Sequence, residues 1–167
     1  MTAIAICRLA DHPAALEHVV DWIDEEWGVF SGRSREETRM RFTEDPMASA
    51  LPLTLVALDG AEPLGVASLR VRDSVDWDPA QVPWVCNVYV PPPARGRGIA
   101  EALCRGLERE ALDLGFAALF LASARGKGSL YERIGYHVYA VVEHGGERLH
   151  LMRRTLRADA AAPEEAK

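Results

Sequence analysis

The apolar run Trp84 to Val90 stops against three consecutive prolines, Pro91, Pro92 and Pro93, and Arg95-Gly96-Arg97-Gly98 then leads into an amphipathic stretch. Proline donates no ladder hydrogen bond, so the run ends sharply as a strand. Beyond the glycines, Ile99, Leu103, Leu107, Ala111 and Leu114 recur at helical spacing, Glu101, Arg105, Glu108 and Arg109 face elsewhere, and Gly115 stands at the helix stop. The first amides of such a helix lack carbonyl partners and carry partial positive charge. Gly96 and Gly98 let a ligand approach the backbone, and Arg95 and Arg97 add charge. A strand, a tight turn and a helix that together hold an anion oblige the chain to pack helix on sheet.

The remaining elements follow from local signals. Residues 2–9 read as a strand, and Asp11 is placed to cap a helix carrying Leu16, Val19, Val20, Ile23 and Trp27, stopped by Gly28 with a further interruption at Gly32. Ser34 opens a second helix with Glu37 in the capping-box position. Leu53–Leu58 and Leu64–Val71 form a hairpin about Asp59-Gly60. After Trp84–Val90 and the long helix come a strand over 116–122 and a short helix over 128–134. A final hairpin pairs 136–142 with 148–154. The order is β-α-α-β-β-β-α-β-α-β-β, an α/β (α+β) mixed sheet with helices on its faces. Residues 1–156 make a single domain, and 157–167 read as a disordered tail.

Composition narrows the function classes. No segment approaches the ~18 apolar residues of a membrane span, and the N-terminus lacks the basic region of a signal peptide. A net charge of −6 opposes broad nucleic-acid binding. Cys7, Cys86 and Cys104 form no CxxC, so reduced thiols in a cytoplasm are expected. Five scattered histidines show no ligand spacing, so no metal is expected.

Phosphate motifs can be tested one by one. A P-loop requires Lys-Ser/Thr after its last glycine, and none follows here. A dinucleotide fingerprint requires a third glycine where Glu101 stands, and there is no repeated βαβ pattern. The pattern [Q/R]-x-x-G-x-[G/A] is met by Arg95, Gly98 and Ala100. This segment resembles motif A of the GCN5-related N-acetyltransferases (GNAT). Leu130-Tyr131-Glu132-Arg133-Ile134-Gly135-Tyr136 resembles their motif B, and the element order of roughly residues 2–156 is similar.

The resemblance implies the acyl-CoA N-acyltransferase fold and a direct transfer of acetyl from acetyl-CoA to a primary amine of a small molecule or peptide. It implies a cosubstrate site from Val88, Tyr89, Val90, Arg95, Gly96, Arg97, Gly98, Ile99 and Ala100. The strand holding Val88 and Val90 would splay from its neighbour to admit the pantetheine arm, and the amide of Val88 or a neighbour would stabilise an oxyanion. Tyr131 matches the tyrosine that serves relatives as general acid toward the departing sulfur, since a phenol of pKa about 10 stays protonated near neutrality. Ser123 stands where the family often has an asparagine.

The base has no motif. Asp73, Asp76, Glu25 and Glu26 are the carboxylates to weigh, with Asp73 ranked first. Trp27, Phe30 and Trp84 are candidates to line an acceptor cleft, and Cys86 reads as core rather than nucleophile. A homodimer is compatible with the sequence, and partners among nucleic acids or membranes are not expected. The alternative reading is a non-catalytic acetyl-CoA sensor of the same fold, which would have no need of the Tyr131 acid.

Overall fold

A computed structural model describes residues 3–45, 50–73 and 77–157; Asp76 and the tail from 158 lie outside the described residues. Its strands are β1 (Ala5–Arg8), β2 (Leu53–Asp59), β3 (Glu62–Arg70), β4 (Trp84–Tyr89), β5 (Ala118–Ser123), β6 (His137–His144) and β7 (Glu147–Thr155). The α-helices are α1 (Leu16–Ser31), α2 (Arg35–Thr43), α3 (Ile99–Asp113) and α4 (Leu130–Arg133). Their order is the one expected, and the strands form one mixed sheet in the order β1-β2-β3-β4-β5-β7-β6.

Local chemistry accounts for most boundaries. At α2, Ser34 Oγ accepts from the Glu37 amide at 3.1 Å and the Glu37 carboxylate accepts from the Ser34 amide at 2.7 Å, a complete capping box. Two expectations about α1 are corrected. Asp11 does not cap it; Asp11 ends a 3-10 turn, a second turn follows over Pro13–Ala15, and the helix starts at Leu16. Gly28 does not stop it either, because the left-handed residue is Gly32, at φ +66°, whose amide donates to the Gly28 carbonyl at 3.0 Å.

The two faces of the sheet carry different layers. On one, α3 packs Ile99, Leu103 and Leu107 against Leu55, Leu69, Val85, Leu119 and Met152. On the other, α1 packs Val19 and Ile23 against Val56 and Val66. Glu108 departs from its expected outward place: it is only 8% exposed. Arg154 of β7 reaches it at 2.9 Å and Arg105 at 3.2 Å, so two guanidiniums satisfy the carboxylate inside the stripe.

Two irregularities open the centre of the sheet. Val66 pairs with Tyr89 and Ser68 with Cys86, so two steps along β3 face three along β4. The extra residue bulges β4, with Asn87 at φ +55°. β4 and β5 run parallel but register only at Trp84 and Phe120, whereas β5 pairs with β7 at every position from Ala118 to Ser123. The parallel pair therefore parts above Trp84.

Gly65 lets the start of α3 settle over this opening. A Cβ there would lie 3.0 Å from Ile99 Cγ2, 3.1 Å from the Tyr89 carbonyl oxygen and 3.2 Å from Leu103 Cδ1. Gly65→Val should overpack the contact by about 1–3 kcal/mol. For a chain of this size that lowers Tm by roughly 2–12 °C, readable by circular dichroism; an unchanged Tm would show that α3 moves aside without cost.

Candidate active site

The turn between β4 and α3 is built as its residues require. Pro92–Ala94 makes one 3-10 turn, Arg95 is extended, and Gly96 and Gly98 take φ +79° and +75°, conformations costly for any residue with a Cβ. Nothing stands within 4 Å of where their Cβ atoms would be, so the space above both glycines is open. Buried Ala94 and Ile99 pin the two ends of the turn into the core. Helices α2 and α4 begin with serine caps, but α3 begins at Gly98 with no side chain over its first amides. An anion placed there would fill the role of a cap.

The two arginines of the turn take different partners. Arg95 Nε donates to the Val90 carbonyl at 2.8 Å, and its guanidinium stands 5.9 Å from the centre of the Tyr89 ring. Arg97 Nη2 lies 3.9 Å from Asp59 Oδ2, a long and half-exposed pairing that leaves it free to turn toward a second anion.

Alternation along β4 sorts the next residues. Val88 and Val90 are half-buried and pack toward α3, while Tyr89 faces the α1 layer, 5.9 Å from the Trp22 ring and 6.1 Å from Trp27. The bulge turns Asn87 inward, and its buried Nδ2 has no hydrogen-bond partner. A buried amide left unpaired costs about 1–3 kcal/mol. It fits a site meant to receive a hydrogen-bonding ligand. The open glycine cradle, the uncapped helix and the parted strands fit an extended molecule with a phosphate at one end.

Tyr131 enters on α4. Ser129 Oγ accepts from the Glu132 amide at 3.2 Å and donates to the Gly126 carbonyl at 2.7 Å, and Gly135 at φ +103° turns the chain so that the Tyr136 amide donates to the Tyr131 carbonyl. The Tyr131 ring meets Tyr136 edge-on at 5.9 Å. Burial pushes its phenol pKa above the ordinary value, with further upward pressure from Cys104 on α3 and Cys86 on β4. Ser123 is nearby in sequence but spends its hydroxyl locally, donating to the Arg125 carbonyl at 2.9 Å and accepting from its amide at 3.2 Å.

The remaining candidates separate. Asp73 comes back to β4, where Cys86 Sγ donates to its Oδ1 at 3.6 Å. Glu25 and Glu26 are exposed on α1. Trp27 is half-buried against Tyr89, and Phe30, 78% exposed, stands at the end of α1. Trp84 is a correction: it is 2% exposed, its Nε1 donates to the Gln81 carbonyl at 2.6 Å, and its ring lies 5.8 Å from Phe120. It packs with Cys86, Phe120 and Leu151 at the foot of the opening rather than lining a cleft.

Asn87 and the side chain of Tyr89 carry no motif in the sequence, and Tyr136, named there only as the end of the motif B segment, has a buried hydroxyl with no partner among the described residues. Asn87 had a signal: it is the one polar residue in the run 84–88.

Cys86 is buried, and its thiol is pushed far up by burial and then by Asp73; burial also pushes Cys104 up to about 12. Neither is a nucleophile at neutral pH. Iodoacetamide at about pH 8, near the pKa of an ordinary thiol, should modify Cys7 alone in the folded protein and all three cysteines in denaturant. Peptide mapping that finds Cys86 alkylated at the rate of Cys7 would reopen it as a reactive thiol.

Comparison with known proteins agrees with this fold. The model of the acetyltransferase (GNAT) family matches residues 16–136. No curated protein matches the sequence. Among solved structures, an aminoglycoside 6'-acetyltransferase type Ii is similar with TM-score 0.72 at 17% identity, covering 92% of this chain and 97% of that one. An aminoglycoside 6'-N-acetyltransferase complexed with coenzyme A gives 0.72 at 14% identity, with 96% and 99% covered. The PaiA N-acetyltransferase from Thermoplasma acidophilum, in complex with coenzyme A, gives 0.67 at 18%, with 92% and 99% covered. At such identities these structures speak for the fold.

Proposed function

Because the chain belongs to the acetyltransferase (GNAT) family, we propose that it moves the acetyl group of acetyl-CoA directly onto a primary amine of a small molecule or peptide. The observation that carries this reading is the parting of β4 from β5 directly beside the uncapped start of α3. Acetyl-CoA supplies an acetyl thioester already activated toward amines. Everything else falls to the chain.

The amides at the start of α3, with Arg95 and Arg97, hold the pyrophosphate. Val88 and Val90 offer the backbone groups that β5 leaves unpaired to the pantetheine arm, and a β4 amide at the bulge faces the acetyl oxygen. Asp73 accepts the proton of the attacking amine. Tyr131 donates its Oη proton to the departing sulfur. Its raised pKa suits the task, because the burial that makes the phenol a weaker acid also makes a thiolate beside it a stronger base. The domain at 1–156 carries the catalytic residues, and three free thiols suit a reducing cytoplasm. No helix among the described residues is long and apolar enough to cross a membrane, and no cluster there could hold a metal.

The test is thiol release from acetyl-CoA across a panel of amines. Tyr131→Phe should lower kcat about a hundredfold while calorimetry shows the acetyl-CoA Kd nearly unchanged; an unaltered kcat would remove Tyr131 as the acid. The phenol stays protonated to above its ordinary value of about 10, so kcat should show no loss of an acid up to about that pH. Tight CoA binding without turnover on any amine would favour the sensor reading instead.

A further inference from the structure

At the foot of β3, on the face covered by α1 and α2, two arginines share one carboxylate. Arg70 is 9% exposed; its Nη1 donates to the Arg41 carbonyl at 3.2 Å and its Nη2 to Glu44 Oε2 at 2.9 Å. Arg41, half-buried on α2, has no side-chain hydrogen bond or ion pair among the described residues. Burial lowers its pKa to about 10, helped by the charges of Arg70 and Arg33. A half-buried guanidinium beside another guanidinium carries a cost that the nearby Glu44 charge offsets only in part. Long cationic side chains normally escape such a cost by snorkelling into solvent. Here the side chain instead lines a cleft of about 190 Å³, shared with Phe42, Glu44 and Thr54.

The position of this pair relates it to the opening in the sheet. Both cations act on Cys86, the residue before the bulged Asn87. Ser68, the partner of Cys86, lies two residues from Arg70, which is about 7 Å along a strand. Asp73, the carboxylate assigned to the amine, is in contact with Cys86 on this same side. An acceptor reaching Cys86 would thus meet the Asp73 carboxylate there and the two guanidiniums close by.

We propose that Arg41 and Arg70 form an anion subsite for the acceptor, so that the amine this protein acetylates also carries a carboxylate or comparable anion, as an amino acid does. This inference rests on the acetyl-transfer reading and names its substrate class. A polycationic amine would be repelled from the subsite, and a neutral amine would leave Arg41 unpaired.

The test compares matched acceptors, glycine with glycinamide and 4-aminobutyrate with 4-aminobutanamide, and adds glutarate as an anion without an amine. In the wild type, kcat/KM for the carboxylate member should exceed that of its carboxamide about tenfold, the scale of one charge-assisted hydrogen bond. Arg41→Gln should erase that ratio through KM, with Tm no lower than wild type because an uncompensated buried cation has been removed. Glu44→Gln, which frees Arg70, should lower KM for the acids. Equal use of acid and amide by the wild type, or a ratio untouched by Arg41→Gln, overturns the subsite. Glutarate binding by calorimetry that disappears in Arg41→Gln, combined with acid and amide used equally, would assign the site to a free anion and overturn its role in the acceptor. Glutarate binding lost in Arg41→Gln with no amine acetylated would sustain the anion site and instead sink the acetyl-transfer reading.

Discussion

The parting of β4 from β5 is the constraint on which the rest of the structure depends. Backbone amides and carbonyls in a sheet must be paired, and a parallel pair that registers only at Trp84 and Phe120 gives up several bonds at the centre of the molecule. The loss is survivable because each strand is held on its other side, β4 by β3 and β5 by the full length of β7. The Trp84–Phe120 stack closes the foot of the opening, and Gly65 lets α3 sit close over its upper end. A gap that would destabilise an ordinary sheet becomes a place where a ligand can complete the pairing.

Charges buried around that gap are treated in two ways. Glu108 lies inside the apolar stripe of α3, where two guanidiniums, one from its own helix and one from β7, satisfy it. On the opposite face the count is reversed, with Arg70 engaging Glu44 while Arg41 makes no ion pair among the described residues. The first arrangement ties helix to sheet and asks nothing of a ligand. The second, together with the unpaired amide of Asn87, stores cost in the free protein that a bound molecule can relieve.

What could be read from sequence follows the range of the interaction concerned. The Ser34–Glu37 box, the strand stop at Pro91 and the helix stop at Gly115 depend on neighbours within a few residues, so they stand as read. Element order and the gathering of Arg95 to Ala100 at one turn were legible for the same reason. Gly28 was misread because a glycine stops a helix only where its φ turns positive, and that happened one turn later at Gly32. Glu108 and Trp84 were misplaced because their surroundings come from β7 and β5, distant in the chain. Arg41 gave no signal at all, since its isolation depends on where Arg70 and Glu44 arrive from β3 and the end of α2.

The buried phenols extend the same logic to proton transfer. Tyr131 and Tyr136 meet edge to face, both with pKa values raised by burial and by Cys104. A group whose folded pKa is raised contributes stability in full below its unfolded value near 10, and loses it as pH climbs toward the folded value. Across neutral pH both therefore favour the folded state as neutral donors. For Tyr136 this is purely structural, because its hydroxyl is sealed at 0% exposure. Tyr131, beside it, is half-buried and keeps the same neutrality. The inner ring packs against the outer one, whose proton is the one the proposed mechanism uses.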